Sequence, residues 1–420
     1  MENHDQHEEL MRTPLIPTDQ TTGSSSFLKA CFNATNALLG IGLLTVPYAL
    51  SSGGWLSLFL FLAVGGMTLY TALLLNECLN SDPSVRTYLD IAERALGTKG
   101  RTFVSIVMNS ELYMVAIGLL ILEGDNLHKL FPNFTIKIGT LILMEGGGMQ
   151  SFVVMTGLII LPSMLLTDHL SILSYVSATG VFSCLIILFS VVCVGLVDGI
   201  GFNAEGSSIM LKADGIPTAL SLYIVCFAGH PVIPSIYSSM ANPRQLRKVL
   251  VIGFTVTAVV YMLMATAGYL MYGNEVESQI TLNLPTKSVS GEIAIYTTLM
   301  IPVSRYALMM SPVAEGIEKR VLSEEDYYYK KKKGVRWLIR LALLMSTVIV
   351  ACLFPHFESL MAIVGSIFVV LASFLLPCLF YLRMFSYFSY LDKLAIWGII
   401  VFGLLAGVVG TYASIANLIV

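Results

Sequence analysis

Charge is what this sequence has least of. Only 12% of its 420 residues are charged, 56% are hydrophobic, and the mean hydropathy is +0.78. A soluble globular chain carries about 25% charged residues. Half that level excludes an ordinary soluble domain and places most of the chain in lipid. The formal net charge of -3 offers no basic surface to nucleic acid. Residue clusters that carry chemistry are missing as well. No His or Cys cluster at metal-ligand spacing, no nucleophile elbow and no phosphate loop is found, which argues against an enzyme and calls for no metal or cofactor. The seven cysteines (Cys31, Cys78, Cys184, Cys193, Cys226, Cys352 and Cys378) lie in or beside apolar runs, so disulfides are not expected. A cleavable leader is also missing. Residues 1–26 are polar, with Pro14, Pro17 and Gly23-Ser24-Ser25-Ser26, and have no basic start followed by an apolar core. They read as a disordered cytosolic tail ahead of a transmembrane region over 27–420, whose first span serves as the insertion signal.

What is present is a succession of apolar runs, each about the 20 residues needed to cross the hydrocarbon core. They lie near 27–50, 54–77, 101–122, 149–166, 171–197, 216–240, 249–272, 289–312, 335–354, 357–381 and 394–417, which makes eleven. Positive charge orients them. With a cytosolic N-terminus, eighteen Lys and Arg fall on the cytosolic side and four (Lys129, Lys137, Lys212 and Lys287) on the other, while Arg305 and Arg340 lie within spans. The C-terminus is then lumenal. The loop 123–148 falls on the lumenal side and carries Asn133-Phe134-Thr135, a glycosylation acceptor pattern with Asn133 as the candidate. On the cytosolic side, Val85 to Leu96 has the periodicity of a short amphipathic helix ended by Gly97. The loop 313–336 runs from acidic (Glu324, Glu325, Asp326) to basic (Lys330 to Lys333), and its basic run is expected to touch anionic headgroups of the membrane lipid.

Two spans carry helix-breaking residues at membrane depth. Span 1 reads Gly40-Ile41-Gly42-Leu43-Leu44-Thr45-Val46-Pro47, in which two glycines weaken the helix and Pro47 takes a donor from the carbonyl of Leu43. Span 6 reads Cys226-Phe227-Ala228-Gly229-His230-Pro231-Val232-Ile233-Pro234. A single such break reads as a packing kink. Two breaks, five helices apart and so in oppositely directed spans, read as an inverted repeat of spans 1–5 and 6–10 with an eleventh span added. Broken helices in such transporters mark the substrate site near the midplane. The restarted half of span 1 presents free N–H groups at Ile41, Gly42 and Leu43 that suit a carboxylate. The first half of span 6 ends in free carbonyls at Cys226, Phe227 and Ala228 that suit an ammonium group. Together these groups describe an α-amino acid, and the glycines at 40, 42 and 229 let it approach the backbone.

These same residues resemble a known family. The stretch Phe32-Asn33-Ala34-Thr35-Asn36-Ala37-Leu38-Leu39-Gly40-Ile41-Gly42-Leu43-Leu44-Thr45-Val46-Pro47-Tyr48-Ala49 resembles the opening span of the amino acid/auxin permease family. So do Leu173-Ser174-Tyr175-Val176-Ser177, Phe227-Ala228-Gly229-His230-Pro231-Val232-Ile233-Pro234 and Tyr306-Ala307-Leu308-Met309-Met310-Ser311-Pro312-Val313-Ala314. The likeness covers roughly residues 27–417 and is to the branch of plant vacuolar neutral amino acid transporters. It implies an all-α, LeuT-like 5+5 fold plus an eleventh helix, amino acid substrates, secondary active transport, proton coupling and a vacuolar membrane, with the plasma membrane as the alternative. Thr35 and Asn36 join the candidate substrate contacts on this ground.

Ionisable residues at membrane depth are costly and therefore candidates for function. His230, in the span 6 break, is either a proton switch or a neutral ring pairing with a freed carbonyl. Arg305, beside Ser304 in span 8, is either a fixed cation that makes sodium unnecessary or a side chain snorkelling to the cytosolic face. Glu111, midway along span 3, is either an acceptor for a coupling proton or substrate amine, or a protonated carboxyl bonded to a neighbour. The expected function is amino acid permeation by alternating access. An auxin or other carboxylate permease and a non-transporting amino acid sensor are the alternatives.

Overall fold

The computed structural model describes residues 23–82, 84–134, 136–138, 141–144, 148–165, 180–322, 332–387 and 389–419. The tail up to residue 22, the Leu173 to Ser177 motif and the acidic stretch 324–326 lie outside the described residues. Among the described residues the fold is a bundle of thirteen helices: α1 Phe27–Leu38, α2 Gly42–Gly53, α3 Ser57–Ser81, α4 Tyr88–Leu130, α5 Met149–Leu165, α6 Gly180–Val197, α7 Ile216–Cys226, α8 Ile233–Ser239, α9 Leu246–Tyr272, α10 Val289–Val321, α11 Lys333–Leu353, α12 Phe357–Met384 and α13 Tyr390–Ile419. The only strands among the described residues are β1 Ile136–Ile138 and β2 Leu141–Met144, an antiparallel pair after α4.

Nine helical segments are long and apolar enough to cross a bilayer, and α1 with α2 forms a tenth crossing bent by 52°. The 17-residue apolar α5 stands where the fourth span was expected. The order of these segments along the chain follows the apolar runs. Phe354-Pro355-His356 separates α11 from α12, so those two runs are two helices. Exposed Phe59, Phe189 and Val408 form part of an apolar outer belt suited to lipid.

Local chemistry sets several of the boundaries. Thr87 caps α4 reciprocally with Asp90, its hydroxyl accepting the Asp90 N–H at 3.1 Å while the Asp90 carboxylate accepts the Thr87 N–H at 2.9 Å. Gly97, with φ +72°, turns the chain between the amphipathic first part of α4 and its long membrane part. That part continues to Leu130, so the first eight residues of the loop expected over 123–148 are helix. The middle of α12, Val364–Leu375, is π-helical. Its Ala372 and Ser373 carbonyls accept from the Tyr88 and Thr71 hydroxyls, each at 2.7 Å.

Three polar tethers hold the bundle outside the breaks. Residues 23–26 do not belong to a free tail, because Ser25 pairs with the strand-like end of α8: its N–H donates to Ser239 O at 2.9 Å and its carbonyl accepts from Ala241 at 3.0 Å. At the last turn of α4, Gln279 donates to Asp125 at 2.8 Å and accepts from Asn126 at 2.8 Å. Lys129 Nζ there donates to the carbonyls of Thr281, Leu282 and Leu284. The third tether buries Arg336, one of the eighteen positive charges assigned to the cytosolic side. Glu318, fully buried near the end of α10, pairs with Arg340 at 2.9 Å and with buried Arg336 at 3.2 Å. Arg340 also reaches the last carbonyls of α5, Met164 and Leu165, where a cation complements the helix dipole. This cluster joins α5, α10 and α11.

Candidate functional site

The break in span 1 covers Leu39 to Ile41, between α1 and α2. Pro47 is not part of it, since it sits inside α2. The glycines are therefore the cause of the break, and Pro47 packs against the position of Gly268 on α9. The break in span 6 covers Phe227 to Gly229, followed by a single 3-10 turn over His230–Val232. Pro231 has no N–H to offer the Phe227 carbonyl four residues back, which is why α7 ends where it does. Span 6 keeps its direction across the break well enough that Ile216–Ser239 reads as one crossing.

The two breaks lie against each other. A Cβ added at Gly42 would come within 3.0 Å of Cys226 Sγ and 3.1 Å of Cys226 Cα. A Cβ at Gly229 would come within 2.9 Å of Leu38 Cδ2. The end of α7 thus faces the start of α2, and the start of the second half of span 6 faces the end of α1. Gly42 is required by close approach rather than by backbone angle, whereas at Gly229 the near atom is the flexible end of the Leu38 side chain. The Cys226 thiol points at Gly42 O across 3.8 Å.

Backbone groups freed in the first break are largely met by side chains from other spans. Tyr261 of α9, almost fully buried, donates its hydroxyl to Leu38 O at 2.8 Å and accepts the Gly40 N–H at 3.1 Å. Arg305 of α10 donates from Nη2 to Leu39 O at 3.1 Å. Leu39 N–H still reaches Thr35 O at 2.8 Å, which keeps Thr35 on the α1 side of the break. Leu43 N–H donates to Gly40 O at 3.1 Å, so of the three amides expected to cradle a carboxylate only those of Ile41 and Gly42 have no backbone acceptor among the described residues.

Arg305 is half-buried and sits at the junction of α1, the break and α6. Its Nη1 lies 3.2 Å from the place of a Cβ on Gly40, and a Cβ on Gly180 would collide with Arg305 Nη2 and Asn36 Oδ1. Asn36 is thereby brought to the break. No carboxylate pairs with Arg305 among the described residues, and Glu111 is not its partner. Ser304 donates its hydroxyl to Ile301 O at 2.9 Å within its own helix. Glu111 stays half-buried on α4, and no contact places it at either break. Asn133 lies exposed in the turn after α4, accessible as a glycosylation acceptor requires.

His230 is fully buried and faces α3 and α12 rather than α1. Its Nε2 lies 2.9 Å from Thr71 Oγ1 and 3.1 Å from Thr68 O. A carbonyl only accepts, so Nε2 carries a proton in this arrangement. Thr71 donates its hydroxyl to Ser373 O, and Nδ1 has no partner among the described residues. Phe227, whose carbonyl belongs to the site, buries its ring against Phe61, Phe254 and Tyr261, with centroids 5.0, 6.1 and 6.4 Å away. Gly65 makes room for that ring.

Paired interrupted helices with opposed backbone ends, packed against each other in a bundle of apolar helices, are the architecture of a transporter. A family model described as transmembrane amino acid transporter protein matches residues 23–416. This chain belongs to the transmembrane amino acid transporter family. It is 46% identical over 399 residues to amino acid transporter AVT1I of Arabidopsis thaliana, covering 94% of this chain and 96% of that protein. It is 44% identical over 398 residues to amino acid transporter AVT1J of the same plant, covering 94% and 92%. Among solved structures it resembles a crystal structure of MhsT in complex with L-phenylalanine, with a TM-score of 0.58 over 94% of this chain and 99% of that chain. Their identity is 14%, so that likeness concerns the fold alone, which is LeuT-like and not that of an enzyme.

Three residues of this family member escaped the sequence reading. Tyr261, Thr71 and Glu318 each sit in an apolar or mixed run with no motif around them. Their partners lie 223, 302 and 22 residues away, at Leu38, Ser373 and Arg340. A lone hydroxyl or carboxyl in a membrane helix signals that a partner exists, without saying which.

Proposed function

We propose that this chain is a secondary active transporter of neutral amino acids, working by alternating access, coupled to protons, in the vacuolar membrane with its N-terminus cytosolic and its C-terminus lumenal. The observation that carries the reading is the contact of the two breaks at Gly42 and Cys226. The free amides of Ile41 and Gly42 stand for a carboxylate, and the carbonyls of Cys226, Phe227 and Ala228 for an ammonium group. A zwitterion satisfies both. Separation of the breaks to admit it also loosens the contacts of Tyr261 and Arg305 with span 1, which links binding to movement of α1 and α2.

The coupling reading rests on Arg305 and His230. A guanidinium bonded to a carbonyl of the span 1 break fills a place where a bound cation would otherwise compensate that carbonyl, so sodium is unnecessary. His230 joins the span 6 break to α3 and α12, and gain of a proton at Nδ1 would require its surroundings to open. Glu111 is the second candidate for the proton. The vacuolar location and the neutral preference rest on the sequence resemblance to plant vacuolar neutral amino acid transporters, and the amino acid substrate also on relatives named as amino acid transporters.

The test is uptake by purified protein in proteoliposomes, with a panel of labelled amino acids that includes L-leucine, L-glutamate and L-lysine, under imposed pH or sodium gradients. Uptake of L-leucine driven by a pH gradient and indifferent to replacement of sodium by choline is expected. A sodium requirement would overturn the coupling, and uptake confined to charged amino acids the neutral preference.

A further inference from the structure

Arg305 holds a permanent charge at membrane depth, and nothing described around it is negative. Its guanidinium has five N–H donors, of which one bond, from Nη2 to Leu39 O, is made among the described residues. The elements packed about it offer neutral groups: Asn36 on α1, the Gly40 backbone, Gly180 on α6 and Ser304 on its own helix. Glu111 is not paired with it, and the buried carboxylate of the same helix, Glu318, is taken by Arg336 and Arg340. An uncompensated cation inside a membrane bundle is expensive and is kept where an anion is received. Nη1 lies 3.2 Å from where a Cβ on Gly40 would stand, at the residue before Ile41 and Gly42, whose amides have no backbone acceptor among the described residues.

We infer that Arg305 is a substrate-binding residue, and that it supplies the counter-charge for the substrate carboxylate seated at Ile41 and Gly42. This rests on the amino acid reading above and deepens it. Amide N–H groups alone accept a carboxylate or a neutral amide oxygen with modest preference. A guanidinium beside them makes the negative charge a condition of binding. The protein should then reject amino acid amides and accept carboxylates, which sets the class of solute on one side chain. The shape of the fork also matters: lysine keeps the charge and loses the planar, two-point approach.

Competition between L-leucine and L-leucinamide for labelled L-leucine uptake tests this. The wild type should favour L-leucine strongly. Arg305→Gln should raise the KM for L-leucine roughly 10- to 100-fold, the range for loss of a charge-assisted hydrogen bond, while the amide is little affected, so that the preference collapses. Arg305→Lys should fall between. Unchanged preference in Arg305→Gln would overturn the inference. So would an unchanged KM accompanied by a new sodium requirement, which would leave Arg305 as a cation substitute only. A second measurement needs no variant: modification of wild-type protein by phenylglyoxal, followed by mass spectrometry at Arg305. Protection by L-leucine and not by L-leucinamide is expected, and equal or no protection by the two contradicts the inference. Failure of wild-type protein to take up any amino acid would instead sink the transport reading.

Discussion

Alanine at position 42 and alanine at position 229 should have very different effects, although both add one methyl group at a helix break. At Gly42 the new carbon would stand 3.0 Å from Cys226 Sγ, 3.1 Å from Cys226 Cα and 3.2 Å from the Tyr261 hydroxyl. One of these neighbours is backbone, and another is the hydroxyl that bridges Leu38 and Gly40. Neither can rotate away without moving a span. Forcing a methyl group into a packed site costs about 1–3 kcal/mol, which corresponds to a loss of roughly 5- to 150-fold in the population able to close on substrate. At Gly229 the nearest atom, at 2.9 Å, is the tip of the Leu38 side chain, and the next neighbours lie at 3.6 and 3.8 Å. Leu38 can change rotamer, so the cost there should stay below about 1 kcal/mol, or roughly 5-fold. Initial rates of L-leucine uptake at matched protein density, with detergent melting curves as the control for folding, separate the two. Gly42→Ala with normal uptake, or Gly229→Ala as damaging as Gly42→Ala, would refute the face-to-face packing of the breaks.

Other outcomes follow from the same contacts. Tyr261→Phe leaves the Leu38 carbonyl and the Gly40 amide without their shared partner; at about 1–3 kcal/mol for a buried group left unpaired, uptake should fall at least about 5-fold, and full activity would show that water replaces the hydroxyl. Glu318→Ala removes the buried carboxylate that pairs with Arg336 and Arg340 and should cost about 3–5 kcal/mol of stability, read as a clear drop in melting temperature, whereas an unchanged melting temperature would mean that the cluster is solvated. His230→Ala should flatten the pH dependence of uptake, and Thr71→Val should alter it in the same direction with His230 intact. An unchanged profile in both would reduce the imidazole to a packing element.

How much of this was legible beforehand depended on whether the signal was local. Gly40, Gly42, Gly229 and Pro231 disclose their function within a single turn, because what they lack (a Cβ or an N–H) acts on the helix that contains them. Apolar length disclosed the crossings in the same way, and α5 is short in the structure as it is in the sequence. Pro47 misled, because a proline weakens a helix without fixing where it opens; the two glycines at 40 and 42 are the weaker point, and the chain parts there. The contacts that meet the broken backbone could not be read. Tyr261 and Arg305 lie more than 200 residues from Leu38 and Leu39. Arg336 looked like one of several cytosolic positive charges, and only the fold turned it inward onto Glu318. Leu43 was counted among the free amides because the 3-10 bond to Gly40 arises from the angle of the break itself.

Counterflow tests the central claim, that the paired breaks form a substrate site which opens to either side in turn, most directly. Proteoliposomes loaded with unlabelled L-leucine and diluted into a trace of labelled L-leucine, without any ion gradient, should accumulate label transiently above equilibrium, and Gly42→Ala should abolish the overshoot. Saturable binding of L-leucine with no overshoot would mean that the protein senses amino acid without moving it, and would contradict the account.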